Sequence, residues 1–152
     1  MLGKIYYSSS SEMTKQLAKT LAEKLWCGSC LLLSGDLGAG KTTFTQGLAL
    51  GLGVKRTVNS PTFTMLKVYE EGRLPLYHLD CYRLEGAFQD VGFSEFIAME
   101  GVTVIEWPEF IVELLPKEYL KIEFKYIDEE KRSLLIRSEG ESYTSLIEEV
   151  LC

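Results

Sequence analysis

Leu17, Leu21 and Leu25 recur at every fourth position with Lys15, Lys19 and Lys24 between them, the spacing of an amphipathic helix. Ser8-Ser9-Ser10-Ser11-Glu12 leads into it, and Ser9 followed three residues later by Glu12 has the form of a capping box. Gly28 is its expected stop. From Cys30 to Ser34 the short run Leu31-Leu32-Leu33 lies between Gly28 and Gly35, which predicts a strand buried inside a parallel sheet. Lys41 to Leu52 then reads as a helix closed by Gly51 and Gly53. Phe63 to Glu70 and Leu74 to Asp80 read as two strands joined at Glu71-Gly72-Arg73 in a hairpin. A short helix is expected around Phe93 to Met99. Val102-Thr103-Val104-Ile105 is a second buried-strand candidate, ending in Glu106-Trp107-Pro108, and Pro116 breaks the next segment. Leu120 to Ile127 and Ser133 to Arg137 alternate apolar with polar, as an antiparallel pair does, and Ser142 to Leu151 reads as a closing helix.

These elements predict an α/β fold: a P-loop NTPase-like sheet with flanking helices and antiparallel additions. With 152 residues, no internal repeat and no linker, residues 1–152 are expected to form a single domain. Apolar residues make up 46% of the chain, which suits a packed core and argues against disorder. No apolar run is long enough to span a bilayer, and Met1 to Tyr7 lacks a long apolar stretch of signal-peptide type. A cytoplasmic location without membrane contact is the expectation. The formal net charge of −6 disfavours a large footprint on nucleic acid. RNA chemistry, if served, would be served through a partner that holds the RNA.

Cys27-Gly28-Ser29-Cys30 has the C-x-x-C form, but a zinc site needs a second Cys or His pair. Cys81, Cys152 and His78 are too scattered to supply it, so free thiols at a turn are expected.

Gly35-Asp36-Leu37-Gly38-Ala39-Gly40-Lys41-Thr42 meets the pattern G-x-x-x-x-G-K-[ST] in full, in the strand–loop–helix context that the motif requires. Glycines let successive backbone N–H groups turn inward around phosphate oxygens, and the following helix points its positive end at them. Lys41 should reach the β- and γ-phosphates, and the Thr42 hydroxyl should sit on Mg²⁺. A carboxylate is also needed near the metal, and two candidates end buried strands: Asp80 and Glu106. Either could equally be a solvated acid at a strand end. Pro61 sets the turn Ser60-Pro61-Thr62 and presents the Thr62 hydroxyl, as in loops that sense a γ-phosphate; a plain turn has the same spacing. A lone strand histidine such as His78 is more often packed or solvent-facing than catalytic, and Trp107 suits a core or edge position as well as stacking on a ligand or a partner.

Four segments in order, Gly35 through Thr43, Ser60-Pro61-Thr62-Phe63-Thr64, His78-Leu79-Asp80-Cys81-Tyr82-Arg83-Leu84 and Glu106-Trp107-Pro108, resemble those of the TsaE (YjeE) family of small bacterial P-loop ATPases. The resemblance implies an ATP- and Mg²⁺-dependent protein required for the threonylcarbamoyladenosine modification of tRNA beside the anticodon. It implies action with TsaD and TsaB, which carry the transfer chemistry and most of the tRNA contact. ATP hydrolysis would be slow alone and faster with partners, and would reset the complex between cycles. Carried over by position, the nucleotide loop is Leu37, Gly38, Ala39, Gly40, Lys41 and Thr42, with Thr43 beside it. The Mg²⁺ ligands are Thr42 and Glu106, the switch threonine is Thr62, and Asp80 positions metal or water. Ser10 or Ser11 falls near the adenine. The catalytic set is thus Lys41, Asp80 and Glu106. Two rivals remain in the residues themselves: a nucleotide-dependent interaction switch with negligible hydrolysis, and a small-molecule kinase, which would want an arginine-rich lid that the chain does not show.

Overall fold

The computed structural model describes residues 2–36, 38–59, 66–81 and 101–151. The first strand predicted from the sequence is the centre of the sheet: β2 (Cys30–Ser34) pairs in parallel with β5 (Val102–Glu106) on one side and with β6 (Tyr119–Tyr126) on the other. β4 (Leu76–Asp80) continues the parallel set beside β5. Antiparallel strands finish both ends: β3 (Leu66–Tyr69) on β4, then β7 (Arg132–Glu139) on β6 and β1 (Gly3–Ser8) on β7. The seven described strands form one sheet in the order β1-β7-β6-β2-β5-β4-β3. This is the α/β arrangement read from the pattern, with the β3–β4 hairpin and the alternating β6–β7 pair as antiparallel additions and β1 as a further one. The expected helix around Phe93 to Met99 and the turn at Ser60-Pro61-Thr62 lie outside the described residues.

Side-chain alternation gives the sheet two faces. Leu31, Leu33, Leu76, Val102, Val104, Leu120 and Ile122 join one core with helices α1 (Ser11–Ala22), α2 (Lys41–Leu52) and α3 (Glu141–Leu151). Cys30, Leu32, Tyr77, Leu79 and Ile105 join a smaller cluster with Ile111, from a 3-10 segment at Pro108–Leu114.

Several local expectations shift. The cap of α1 is Ser10, one residue later than the pattern Ser9–Glu12 suggests; its hydroxyl accepts from the Met13 amide at 3.1 Å. Ser9 instead has its hydroxyl 3.1 Å from the Met13 sulfur. α1 also ends at Ala22, well before Gly28, and the Arg73 guanidinium donates to the carbonyls of Ala22 and Leu25 just there, satisfying the chain end. β1 and the 3-10 segment had no counterpart in the sequence pattern. β1 is an edge strand whose Ile5 and Tyr7 are exposed, so it carries no buried–exposed alternation to read.

α1 and α2 approach closely at two glycines. A Cβ on Gly47 would lie 2.5 Å from the Lys15 carbonyl oxygen and 2.8 Å from the Ala18 Cβ. One on Gly51 would lie 2.6 Å from the Ala22 Cβ. Backbone cannot yield as a flexible side chain does, so Gly47→Leu must push α1 away despite its better helix propensity. The expected net loss is about 1–3 kcal/mol, after a propensity gain of about 1 kcal/mol. A thermal melt checks it; an unchanged Tm would contradict this packing.

Candidate functional site

β2 ends at Ser34, and the chain turns through three glycines with positive φ: Gly35 at 137°, Gly38 at 78° and Gly40 at 110°. Gly40 is also the N-cap of α2 and supplies no side chain to cap it. The first amides of α2 are therefore left for a ligand, the arrangement that binds phosphate. Between them the Ala39 amide donates to the Asp36 carbonyl at 3.1 Å, closing a tight turn. Leu37 and Thr62 lie outside the described residues.

Lys41 begins α2 and is buried, only 5% exposed. Its ammonium donates to the Gly35 carbonyl and lies 4.4 Å from the centre of the Trp107 ring. Burial pulls its pKa below the ordinary lysine value, opposed in turn by the charges of Glu106, Asp80, Glu109 and Asp36. A backbone oxygen and an aromatic face thus hold the lysine at the mouth of its own loop.

Both candidate acids converge on this lysine. Asp80 ends β4 and Glu106 ends β5, and the parallel register sets them opposite each other. Each is nearly inaccessible, at 4% and 3% exposure, so neither is the solvated strand-end acid that the sequence left open. Leu33 of β2 pairs with Glu106, which brings the strand before the loop to the same edge. His78 completes the group. It is fully buried, and its Nε2 lies 2.5 Å from Oε2 of Glu106. Sequence reasoning left His78 as either packed or solvent-facing; its diagonal reach to Glu106 depends on a register that no local pattern encodes.

Trp107 comes next along the chain with φ 58° and ψ 51°, the one non-glycine residue with positive φ among those described. A left-handed tryptophan costs on the order of 1–3 kcal/mol. Its ring stacks on Phe110, with centroids 6.0 Å apart and planes within 6°. The strained residue thus stands between Glu106 and the 3-10 segment with its ring over Lys41.

Beside the loop, Ser10, Ser11, Thr14, Gly40, Thr43, Glu129, Glu130 and Arg132 line a cavity of about 140 Å³. Ser10, Ser11 and Thr43, all named from the sequence, thus share one cavity with Gly40 of the loop. Arg132 was missed. Its Nη2 donates to the Gly38 carbonyl at 3.2 Å, and its guanidinium lies 4.5 Å from the Tyr126 ring centre. It is 94 residues from Gly38 along the chain, so only the fold reveals it.

Could the site hold Mg²⁺? Thr42 lies in the first turn of α2, and Asp80 and Glu106 supply oxygen donors of the kind this ion prefers. Among the described residues no three His, Cys, Asp or Glu side chains are grouped to hold a metal. Mg²⁺ itself keeps waters and takes phosphate oxygens beside one or two carboxylates. Of the cysteines, Cys81 lies beside the acids, its amide donating to the Glu106 carbonyl at 3.0 Å. Cys27 is exposed, whereas Cys30 and Cys81 are buried and desolvation pushes each thiol up to about 12. No helix among the described residues is long and apolar enough to cross a membrane.

Comparison with known proteins agrees with this geometry. A family model described as "Threonylcarbamoyl adenosine biosynthesis protein TsaE" matches residues 8–134. The tRNA threonylcarbamoyladenosine biosynthesis protein TsaE of Bacillus subtilis (strain 168) is 48% identical over 139 residues, covering 91% of this chain and 88% of that protein. Its counterpart from Nostoc sp. is 41% identical over 131 residues, covering 83% and 80%. The crystal structure of YdiB from Bacillus subtilis superposes with a TM-score of 0.86 at 40% identity, covering 98% of this chain and 94% of that one. Through its glycine loop, the acids paired across β4 and β5, and matches over most of its length, the chain belongs to the TsaE family.

Proposed function

We propose that this chain binds Mg·ATP at Gly35 to Thr42 and hydrolyses it slowly, in support of the threonylcarbamoyladenosine modification of tRNA, with TsaD and TsaB as partners. One observation carries the reading: a turn with three positive-φ glycines at the end of a buried parallel strand opens onto a helix N-terminus, a buried lysine and two buried acids. The relatives' names place them in threonylcarbamoyladenosine biosynthesis, and the net charge of −6 suits a protein whose tRNA is held by others.

In this reading the amides of the loop and of the first turn of α2 bind the phosphates. Lys41 leaves the Gly35 carbonyl for the phosphate charge, an exchange made easy because both positions lie on the same loop. Thr42 and Glu106 hold Mg²⁺, which, when bound, offsets charge on the phosphate oxygens. Asp80 or Glu106 orients the attacking water. Ser11, Thr43 and Arg132 form the wall that receives the nucleoside. Leu37, Gly38, Ala39, Gly40 and Thr62 complete the nucleotide contacts.

Removing the Lys41 ammonium takes away a charge-assisted bond of about 1.5–3 kcal/mol, so Lys41→Ala should weaken ATP binding roughly 10- to 100-fold. Calorimetric titration reads this directly, and unchanged affinity refutes the site. Arg132→Ala should weaken ATP binding by about tenfold through loss of the cavity wall and of its hold on Gly38, with inorganic triphosphate affected less; equal losses for both ligands would move Arg132 to the phosphates. Asp80→Asn and Glu106→Gln should keep ATP affinity in EDTA, and the variant lacking the water-orienting acid should lose roughly two orders of magnitude in phosphate release. Release is to be measured alone and with TsaD and TsaB. Nucleotide binding without any release, in either setting, would make the chain an interaction switch instead of an ATPase.

A further inference from the structure

We infer that His78 is a positioning residue that holds the Glu106 carboxylate in place for the metal. The inference rests on the proposed nucleotide site and assigns the lone histidine a place in it. Side-chain alternation puts His78 and Asp80 of β4, and Val104 and Glu106 of β5, on the face of Leu76 and Val102, which packs against the helices. The register pairs His78 with Val104 and Asp80 with Glu106, so His78 and Glu106 are diagonal neighbours. The diagonal is closed by the 2.5 Å contact between Nε2 and Oε2. A metal ligand must be an ionised carboxylate, and such an oxygen only accepts. In that role of Glu106, Nε2 carries the ring hydrogen and donates a hydrogen bond to Oε2.

That bond restrains a side chain with three rotatable torsions. It occupies one carboxylate oxygen and leaves the other for the metal. His78 is fully buried in a parallel strand, so its ring has no alternative position in solvent. The opposite ring atom, Nδ1, is buried with no hydrogen-bond partner among the described residues. A histidine kept for packing alone would be expected to satisfy that atom or be replaced by an apolar residue, because an orphaned buried polar atom is costly. Here one ring nitrogen is sacrificed so that the other meets Glu106. Partners of this kind commonly change metal affinity about 10- to 100-fold when removed.

The test contrasts two amides of similar size and polarity. Gln presents its amide nitrogen near the position of Nε2, whereas Asn stops near that of Nδ1. Mn²⁺ replaces Mg²⁺ as a spectroscopic probe, and its affinity for the protein–ATP complex is read by electron paramagnetic resonance. His78→Asn should weaken Mn²⁺ binding about 10- to 100-fold and His78→Gln by less than about threefold, with ATP affinity in EDTA the same for both and for the wild type. Equal Mn²⁺ affinities for the Asn and Gln variants would overturn the inference, as would a parallel loss of ATP affinity in EDTA, which marks a general structural defect. A wild-type protein that fails to bind ATP at all would instead overturn the nucleotide reading on which the inference stands.

Discussion

A side chain cannot be placed at Gly35: its Cβ would lie 2.6 Å from the Phe124 carbonyl oxygen, at a φ of 137° that L-residues rarely adopt. β2 and β6 pair in parallel up to Ser34 and Glu123, and the loop must leave the sheet immediately beyond, across the backbone of Phe124. Main chain without Cβ atoms is the one material that turns so sharply and still offers its amides inward. The entry of α2, the location of Lys41 and the cavity against Arg132 all depend on that turn.

The parallel strands then decide what faces the loop. In a parallel sheet the carboxyl ends of neighbouring strands emerge along one edge. β2, β4 and β5 therefore deliver Ser34, Asp80 and Glu106 to a common place, although these residues come from distant parts of the chain. Two acids so close and so buried need a countercharge. Lys41 answers their field from inside the site, and its own burial is tolerated because of them. The same constraint explains why the strained backbone falls on Trp107, where the chain must turn from β5 into Pro108 while keeping its ring over that lysine.

Much of this was written locally. β2 and α2 occupy the residues that glycine flanks and apolar runs marked, because a buried strand and a capped helix are short-range objects. β4, β5 and the β6–β7 pair lie where the pattern placed them for the same reason. The cap of α1 fell on Ser10 instead of Ser9, since four consecutive serines offer equivalent hydroxyls and only the entering chain selects one. β1 left no trace, because pairing with β7 specifies it and its outer residues gain no burial.

The sequence by itself determined the glycine loop, the lysine after it and the acids that end two apolar strands, since each depends on residue type and near neighbours. Tertiary structure alone decided which residues complete the site. His78 reaches Glu106 only after two strands adopt a particular register. Arg132 meets Gly38 only because β7 folds back beside the loop. Register and return are set by packing a whole sheet against its helices, and no short stretch of chain contains that information.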